Sequence, residues 1–224
     1  MTRTGRVAGS EADYVPLNQD RYSGHQMLLR RAQGARTVLD VGCSAGVLAR
    51  ELVARGAVVD GIEQDAVAAA EAARVCRHVI VGDAESAGSQ LESAAYDLIV
   101  MADLIEHLRD PVRMLRMLRP ALGPEGRLLL TTPNVANWSL RLRLLVGRWD
   151  YTDRGLLDRT HLHLFTLKTL RAALQEAGYR ITDLDVTCPL PVLRRPPFSA
   201  IAHAVALGWK GLLAYQFVVA ARPA

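Results

Sequence analysis

Ten residues, Thr37-Val38-Leu39-Asp40-Val41-Gly42-Cys43-Ser44-Ala45-Gly46, restrict the fold more than any other stretch of the chain. A short, mostly apolar run belongs to a strand covered on both faces, as in a parallel sheet. Small residues then turn the chain over 42–46. Val47 to Arg55 follows with Val47, Leu48, Leu52 and Val53 at helical spacing. Strand, glycine corner and helix in that order open a βαβ unit, the connection that parallel strands require.

The alternation repeats. Ala57–Ile62 reads as a second strand and Ala66–Ala73 as an alanine-rich helix. His78–Val81 and Tyr96–Met101 read as strands three and four. Pro111–Leu122 reads as a helix with proline at its first position, followed by a fifth strand at Gly126–Thr131. Thr166–Ala177 is a helix closed by Gly178, and Tyr179–Val186 and Tyr215–Ala221 complete the strands. Strands and helices alternating at this pitch predict an α/β fold, a doubly wound and mostly parallel sheet with helices on both faces. No repeat or linker divides the chain, so residues 1–224 are read as a single domain. Residues 1–35 hold a polar lead-in, mobile to about residue 19, and a helix over Tyr22–Arg31 with Met27, Leu28 and Tyr22 inward. Two stretches break the alternation: 133–165, rich in Arg and Trp, and 188–213, which holds Pro189, Pro191, Pro196 and Pro197 before an apolar helix. Such excursions beyond strand ends are where α/β proteins place substrate-binding parts.

Composition narrows the class. The net charge of +4 is carried almost wholly by arginine, the lysines being Lys168 and Lys210. No block of five like charges and no basic stripe with interleaved aromatics occurs, which argues against nucleic acid. Cys43, Cys76 and Cys188 are far apart without metal-ligand spacing, and a sparse odd count fits a reducing compartment. No apolar run follows Arg3 and Arg6, and the stretch Phe198–Val219 is interrupted by His203, Gly208, Lys210, Gly211 and Gln216. A cytoplasmic protein is the expectation.

Ligands of open α/β sheets bind outside the carboxyl ends of the strands. Gly42 permits a sharp turn there, and Gly46 lets a helix and a ligand approach. A dinucleotide fingerprint begun at Gly42 needs glycine where Ser44 and Val47 stand, and no Gly-Lys-Ser/Thr phosphate loop is present. Twenty-one residues past Gly42, strand two ends at Glu63-Gln64, placed to accept from both hydroxyls of a ribose. Strand three ends at Gly82-Asp83-Ala84-Glu85, where a carboxylate suits an adenine amino group.

With these residues the chain resembles the class I S-adenosylmethionine (SAM)-dependent methyltransferases, in particular the small-molecule enzymes with a Leu-Asp-Val-Gly-Cys-type first motif. The resemblance covers roughly residues 36–180 and echoes weakly to the C-terminal strand. It implies a Rossmann-like seven-stranded sheet with the last strand, Tyr215–Ala221, antiparallel, and a cofactor-binding core over 36–132. It implies that Asp40, Gly42 and Gly46 surround the methionine part of SAM, that Glu63 holds the ribose, and that Asp83 and Ala84 meet the adenine. Ala102, Asp103 and Leu104 would line the pocket near the sulfonium, and Glu106-His107-Leu108 matches the family's usual text after strand four. Ser44 stands where relatives commonly have glycine, yet its N–H or hydroxyl can still serve the methionine carboxylate. The product would be S-adenosylhomocysteine (SAH).

A sulfonium methyl is already activated, so alignment with an O or N nucleophile of a small molecule, glycan or lipid-linked acceptor is the main requirement. A hydroxyl or amine must also lose a proton, and histidine suits that task. His107, after strand four, is the leading candidate, alternatively a brace for the loop. His161 in Asp158-Arg159-Thr160-His161-Leu162-His163 is the second, because in look-alike enzymes such a segment borders the acceptor cavity. His161 and His163 alternate onto one side, but no acidic or cysteine partner at a telling distance completes a metal set, so no metal is expected. Arg141, Arg143, Arg148, Arg154 and Arg159 with Trp138 and Trp149 form either an anion-friendly mouth or an amphipathic helix with solvated charges. The helix Phe198–Leu213 is either a cap on the sheet or a peripheral membrane contact through Phe198, Ile201, Val205, Leu212 and Leu213. Two other functions share part of this pattern: a nicotinamide-dependent oxidoreductase, whose phosphate glycines this chain lacks, and a methyltransferase-like binding or scaffold protein without turnover.

Overall fold

The computed structural model describes residues 18–188 and 198–224. Among them, seven strands form one sheet: β1 (Thr37–Val41), β2 (Val58–Glu63), β3 (His78–Val81), β4 (Tyr96–Ala102), β5 (Leu122–Pro133), β6 (Tyr179–Thr187) and β7 (Gln216–Pro223). The spatial order is β3-β2-β1-β4-β5-β7-β6. The first five strands run parallel, and β7 lies antiparallel between β5 and β6. The doubly wound, mostly parallel sheet with an antiparallel last strand is therefore as expected.

The helices are α1 (Gly24–Arg31), α2 (Val47–Ala54), α3 (Ala66–Ala72), α4 (Ala84–Ala87), α5 (Pro111–Leu118), α6 (Trp138–Leu145), α7 (Leu167–Glu176), α8 (Phe198–Gly208) and α9 (Lys210–Leu213). Alternate strand residues serve opposite faces of the sheet. Val38, Leu98, Val100, Leu129 and Val218 pack on α1, α2 and α3 through Met27, Leu28, Leu48, Leu52 and Ala72. Leu39, Val41, Ile99, Met101, Leu130 and Phe217 pack the other way, on Met114, Leu115 and Leu118 of α5 and Leu170 and Leu174 of α7. Fully burying one such Leu or Met side chain contributes roughly 1.5–3 kcal/mol.

Local chemistry sets the boundaries. Asp110 accepts from the N–H of Arg113 and Pro111 sits in the first turn, which fixes the start of α5. That helix stops at Leu118 rather than the expected Leu122, because Pro120 has no N–H to continue the ladder; Arg119–Ala121 form a 3₁₀ turn. Of the freed residues Leu122 joins β5, which is longer than the predicted 126–131. The predicted helix 198–213 is broken at Trp209 into α8 and α9. Helix α4 has no separate sequence signal, whereas α6 lies in the excursion for which an amphipathic helix is one of the two expected readings. The predicted lead-in falls almost wholly outside the described residues, as does the proline-rich stretch 189–197. No helix of the described residues is long and apolar enough to cross a membrane.

The chain winds β1, β2, β3 outward and then returns to place β4 beside β1. At that reversal the connections leaving β1 and β4 part to opposite faces and open a crevice. Gly46 forms the start of α2 at φ +74°, and a Cβ there would stand 3.1 Å from the backbone Cα of Ala72 in α3. Gly46→Ala is expected to lower the unfolding free energy by about 1–3 kcal/mol, from left-handed strain and helix–helix overlap together. Urea denaturation checks this, and an unshifted midpoint would contradict so tight a corner.

Candidate functional site

The crevice holds a cleft of about 270 Å³ at the ends of β1, β2, β3 and β4. Of the residues predicted from sequence, Gly42, Glu63, Gln64, Asp83, Ala84, Leu104 and His107 line it; Ile62, Gly82, Glu85, Leu108 and Arg109 line it as well. Asp40, Ser44, Gly46, Ala102, Asp103 and His161 lie in the surrounding framework. Gly42 has φ +75°, and a Cβ on it would come 3.1 Å from Leu104 Cδ1, so the corner after β1 and the loop after β4 close on each other only with glycine.

The first wall is built around Glu63. Its Oε2 accepts from the N–H of Ser44 at 2.8 Å and its Oε1 from the N–H of Asp65 at 2.9 Å. Each oxygen keeps a lone pair for another donor. Ser44 adopts φ +48°, the left-handed region that makes glycine common at such a place. Asp65 in turn accepts from the N–H groups of Val67 and Ala68, which starts α3. Behind this wall Asp40 is 2% exposed. Its Oδ2 has no partner among the described residues. Burial, and then the negative charge of Glu63, push its carboxyl up to about 7.

The second wall is the β3 end. Asp83 Oδ1 accepts from the N–H of Glu85 at 2.8 Å and starts α4, while Asp83 Oδ2 pairs with Arg109. Glu85 grips the loop after β4, accepting from Arg109 Nε at 3.0 Å and from the N–H of Asp110 at 2.8 Å. Arg109 thus braces two acids of the cleft, a role no local sequence pattern announces.

The third wall is the loop after β4. Asp103, at φ +50°, accepts at Oδ1 from Thr131 Oγ1 and from Gln216 Nε2, both at 2.8 Å, which ties the loop to β5 and β7. Glu106 is 1% exposed. Its Oε2 accepts from Thr132 Oγ1 at 3.0 Å, and its Oε1 has no partner among the described residues. Burial, and then Asp103, push its carboxyl up to about 8. The backbone carbonyl of Glu106 accepts from the N–H groups of Leu162 and His163 at 2.8 and 2.9 Å, so the segment 158–163 folds onto this loop. His107 Nδ1 lies 3.2 Å from the carbonyl of Thr160. Thr160 Oγ1 lies 3.2 Å from the same nitrogen and gives its own proton to Asp158 Oδ1, so both Thr160 oxygens face Nδ1 as acceptors; the tautomer that donates from Nδ1 carries its lone pair on Nε2. The rings of His107 and His161 meet edge to face with centroids 4.8 Å apart. Burial, and then His107, lower the pKa of His161. His163 instead donates from Nε2 to the carbonyl of Arg109 at 3.2 Å. The acidic neighbour that sequence spacing did not offer His161 is Glu106.

In the arginine-rich excursion Arg141 and Arg159 are engaged within the excursion itself. Arg159 pairs with Asp153, Arg141 donates to the carbonyl of Ala136, and Trp149 packs on the small cluster of Leu140, Leu156 and Leu157. In α8, Ile201 and Val205 are exposed, but Leu213 of α9 packs against the main core and so does not share their face.

The family profile described as a methyltransferase domain matches residues 19–184. Ubiquinone biosynthesis O-methyltransferase of Serratia proteamaculans is 29% identical over 68% of this chain and 66% of its own length. That of Vibrio campbellii is 29% identical over 79% of this chain and 77% of its own. Across the first of these curated relatives, the chain spans between 56% and 77% of their length. The structure of an S-adenosylmethionine-dependent methyltransferase from Mesorhizobium loti matches with a TM-score of 0.63 at 18% identity, over 89% of this chain and 98% of that one. This likeness shows the fold.

Asp40 also sets a pH dependence. A carboxyl raised on folding holds its proton more tightly in the native chain, so it favours folding in acid and costs stability as pH rises from about 4 through about 7. The difference amounts to at most about 4 kcal/mol. Asp40→Asn should therefore gain stability relative to the parent between pH 4 and pH 8, read as urea midpoints. Parallel curves for the two proteins would contradict the buried, unpartnered carboxyl.

Proposed function

Because this chain belongs to the methyltransferase domain family, whose methyl donor is SAM, we propose that it methylates a hydroxyl oxygen of a small molecule. The observation that carries the proposal is the convergence of Gly42, Glu63, Asp83 and His107 on one cleft at the sheet reversal. Oxygen as the nucleophile is supported by the names of the curated relatives, which are O-methyltransferases.

The residues present fit SAM. Asp40 is a buried acid with an unpartnered oxygen, which the ammonium of the methionine part would satisfy. The glycine corner at Gly42 and Gly46 lets that part approach the backbone, and Ser44 adds a polar edge. Glu63 holds the ribose through its remaining lone pairs, with Gln64 beside it. Ala84 and Asp83 meet the adenine, the Asp83 carboxylate being shared with Arg109. Ala102, Asp103 and Leu104 border the reacting end. When bound, SAM supplies a methyl group on a cationic sulfur, ready for displacement.

The chain's own work is alignment and removal of the acceptor proton. His107 stands on the cleft wall with the lone pair of Nε2 free, and Glu106 and His161 stand beside it, so an acceptor hydroxyl at this wall meets a group that draws off its proton. The excursion 133–165 and the helices α8 and α9 are assigned to the acceptor side.

Calorimetry tests the reading: SAM and SAH bind, and NAD does not. Glu63→Ala is expected to weaken SAM binding by about 1–3 kcal/mol through lost ribose hydrogen bonds. Unchanged affinity in a folded variant would take Glu63 out of the site. His107→Ala is expected to cut transfer of labelled methyl to extracted small molecules far more than it cuts SAM affinity. SAM binding with no transfer to any extract fraction would favour the scaffold alternative.

A further inference from the structure

We infer that Glu106, His107 and His161 form a binding site for a first-row divalent metal ion of the Zn²⁺ or Mn²⁺ kind, at the acceptor end of the cleft. One ligand atom from each of the three residues lies within 4.8 Å of the other two. Tetrahedral ligands at 2.0–2.2 Å from an ion stand about 3.3 Å apart, so small side-chain rotations close the set. Two imidazoles and one carboxylate suit the nitrogen- and oxygen-binding divalent ions, and three protein ligands leave positions open, as in catalytic rather than structural sites.

Two independent features point to a ligand here. Glu106 is 1% exposed with Oε1 unpartnered, and His161 Nδ1 is likewise buried without a partner. No ion pair of the described residues reaches Glu106, although Asp103 and Asp158 add negative charge nearby. The surroundings are also those that hold metal ligands in place. Thr132 donates to the other oxygen of Glu106, and His107 donates from Nδ1 to the carbonyl of Thr160, which leaves Nε2 to bind. The N–H groups of Leu162 and His163 clamp the Glu106 backbone, which fixes the loop that carries His161.

This inference rests on the methyl-transfer reading for its use but not for its existence. A cation there takes over from bare imidazole the task of acidifying the acceptor hydroxyl, and His107 acts as a ligand. The hydroxyl proton leaves to solvent, the oxygen keeps the electron pair and forms the new C–O bond, and the C–S pair stays on sulfur.

The test is titration of the chelator-stripped full chain with ZnCl₂ and with MnCl₂, in the absence of SAM, followed by calorimetry. One equivalent should bind, and Glu106→Gln and His161→Ala should each weaken binding by about 100-fold or more, beyond the 10–100-fold effect of outer-shell changes. His163→Ala, outside the set, should stay within about twofold of the parent. SAH affinity of each variant reports folding, and His161→Gln replaces any variant that loses it. Parent binding no tighter than that of the double variant His107→Ala/His161→Ala would overturn the site, as would an equal loss in His163→Ala. Metal binding without SAH binding would uphold the site and sink the methyl-transfer reading. SAH binding without metal binding would do the reverse.

Discussion

The site depends on one constraint: the chain must turn sharply out of β1 at the point where the strand order reverses. Gly42, Ser44 and Gly46 all take left-handed backbone there. The turn brings the N–H of Ser44 onto Glu63 of β2, seats Gly42 against Leu104 of the β4 loop, and lets α2 lie on Ala72 of α3. A side chain at either glycine would push these parts away from one another. The close approach of three strand ends and the room for a ligand therefore have the same cause.

Acids in this protein divide by whether they have a cationic partner. Asp60 is buried, which opposes its ionisation, yet the Arg77 guanidinium and the Tyr96 hydroxyl hold its carboxyl below the usual range. Asp83 and Glu85 share Arg109. These acids are satisfied within the fold. Asp40 and Glu106 are buried with an oxygen unpartnered, and both are raised. A buried acid without a partner is costly to the fold. On the function and metal site proposed above, that cost is offset when a positive group reaches each acid, the ammonium of SAM at Asp40 and a metal ion at Glu106.

The loop after β4 joins the two ends. Asp103 ties it to β5 and β7, Glu85 grips its far side, and the segment 158–163 lies over it. Movement of this loop would change the cleft wall at Leu104 and His107 together with the Glu106 and His161 set. The cleft wall and the Glu106, His107 and His161 group are thus mechanically one part.

The sequence by itself determined the parallel strands, the glycine corner, the strand-end acids Glu63 and Asp83, and His107 at the cleft. Each of these is a local pattern: an apolar run, a turn of small residues, an acid at a fixed place after a strand. The end of α5 at Leu118 is also local, set by Pro120 against an apolar periodicity that runs on to Leu122. Only the tertiary structure decided that Arg109 spans Asp83 and Glu85, that Asp40 is left without a partner, and that Glu106 meets His161. The last of these depends on the segment 158–163 being clamped to the Glu106 carbonyl by the N–H groups of Leu162 and His163. Backbone hydrogen bonds between distant segments carry no residue preference, so no spacing in the sequence records them.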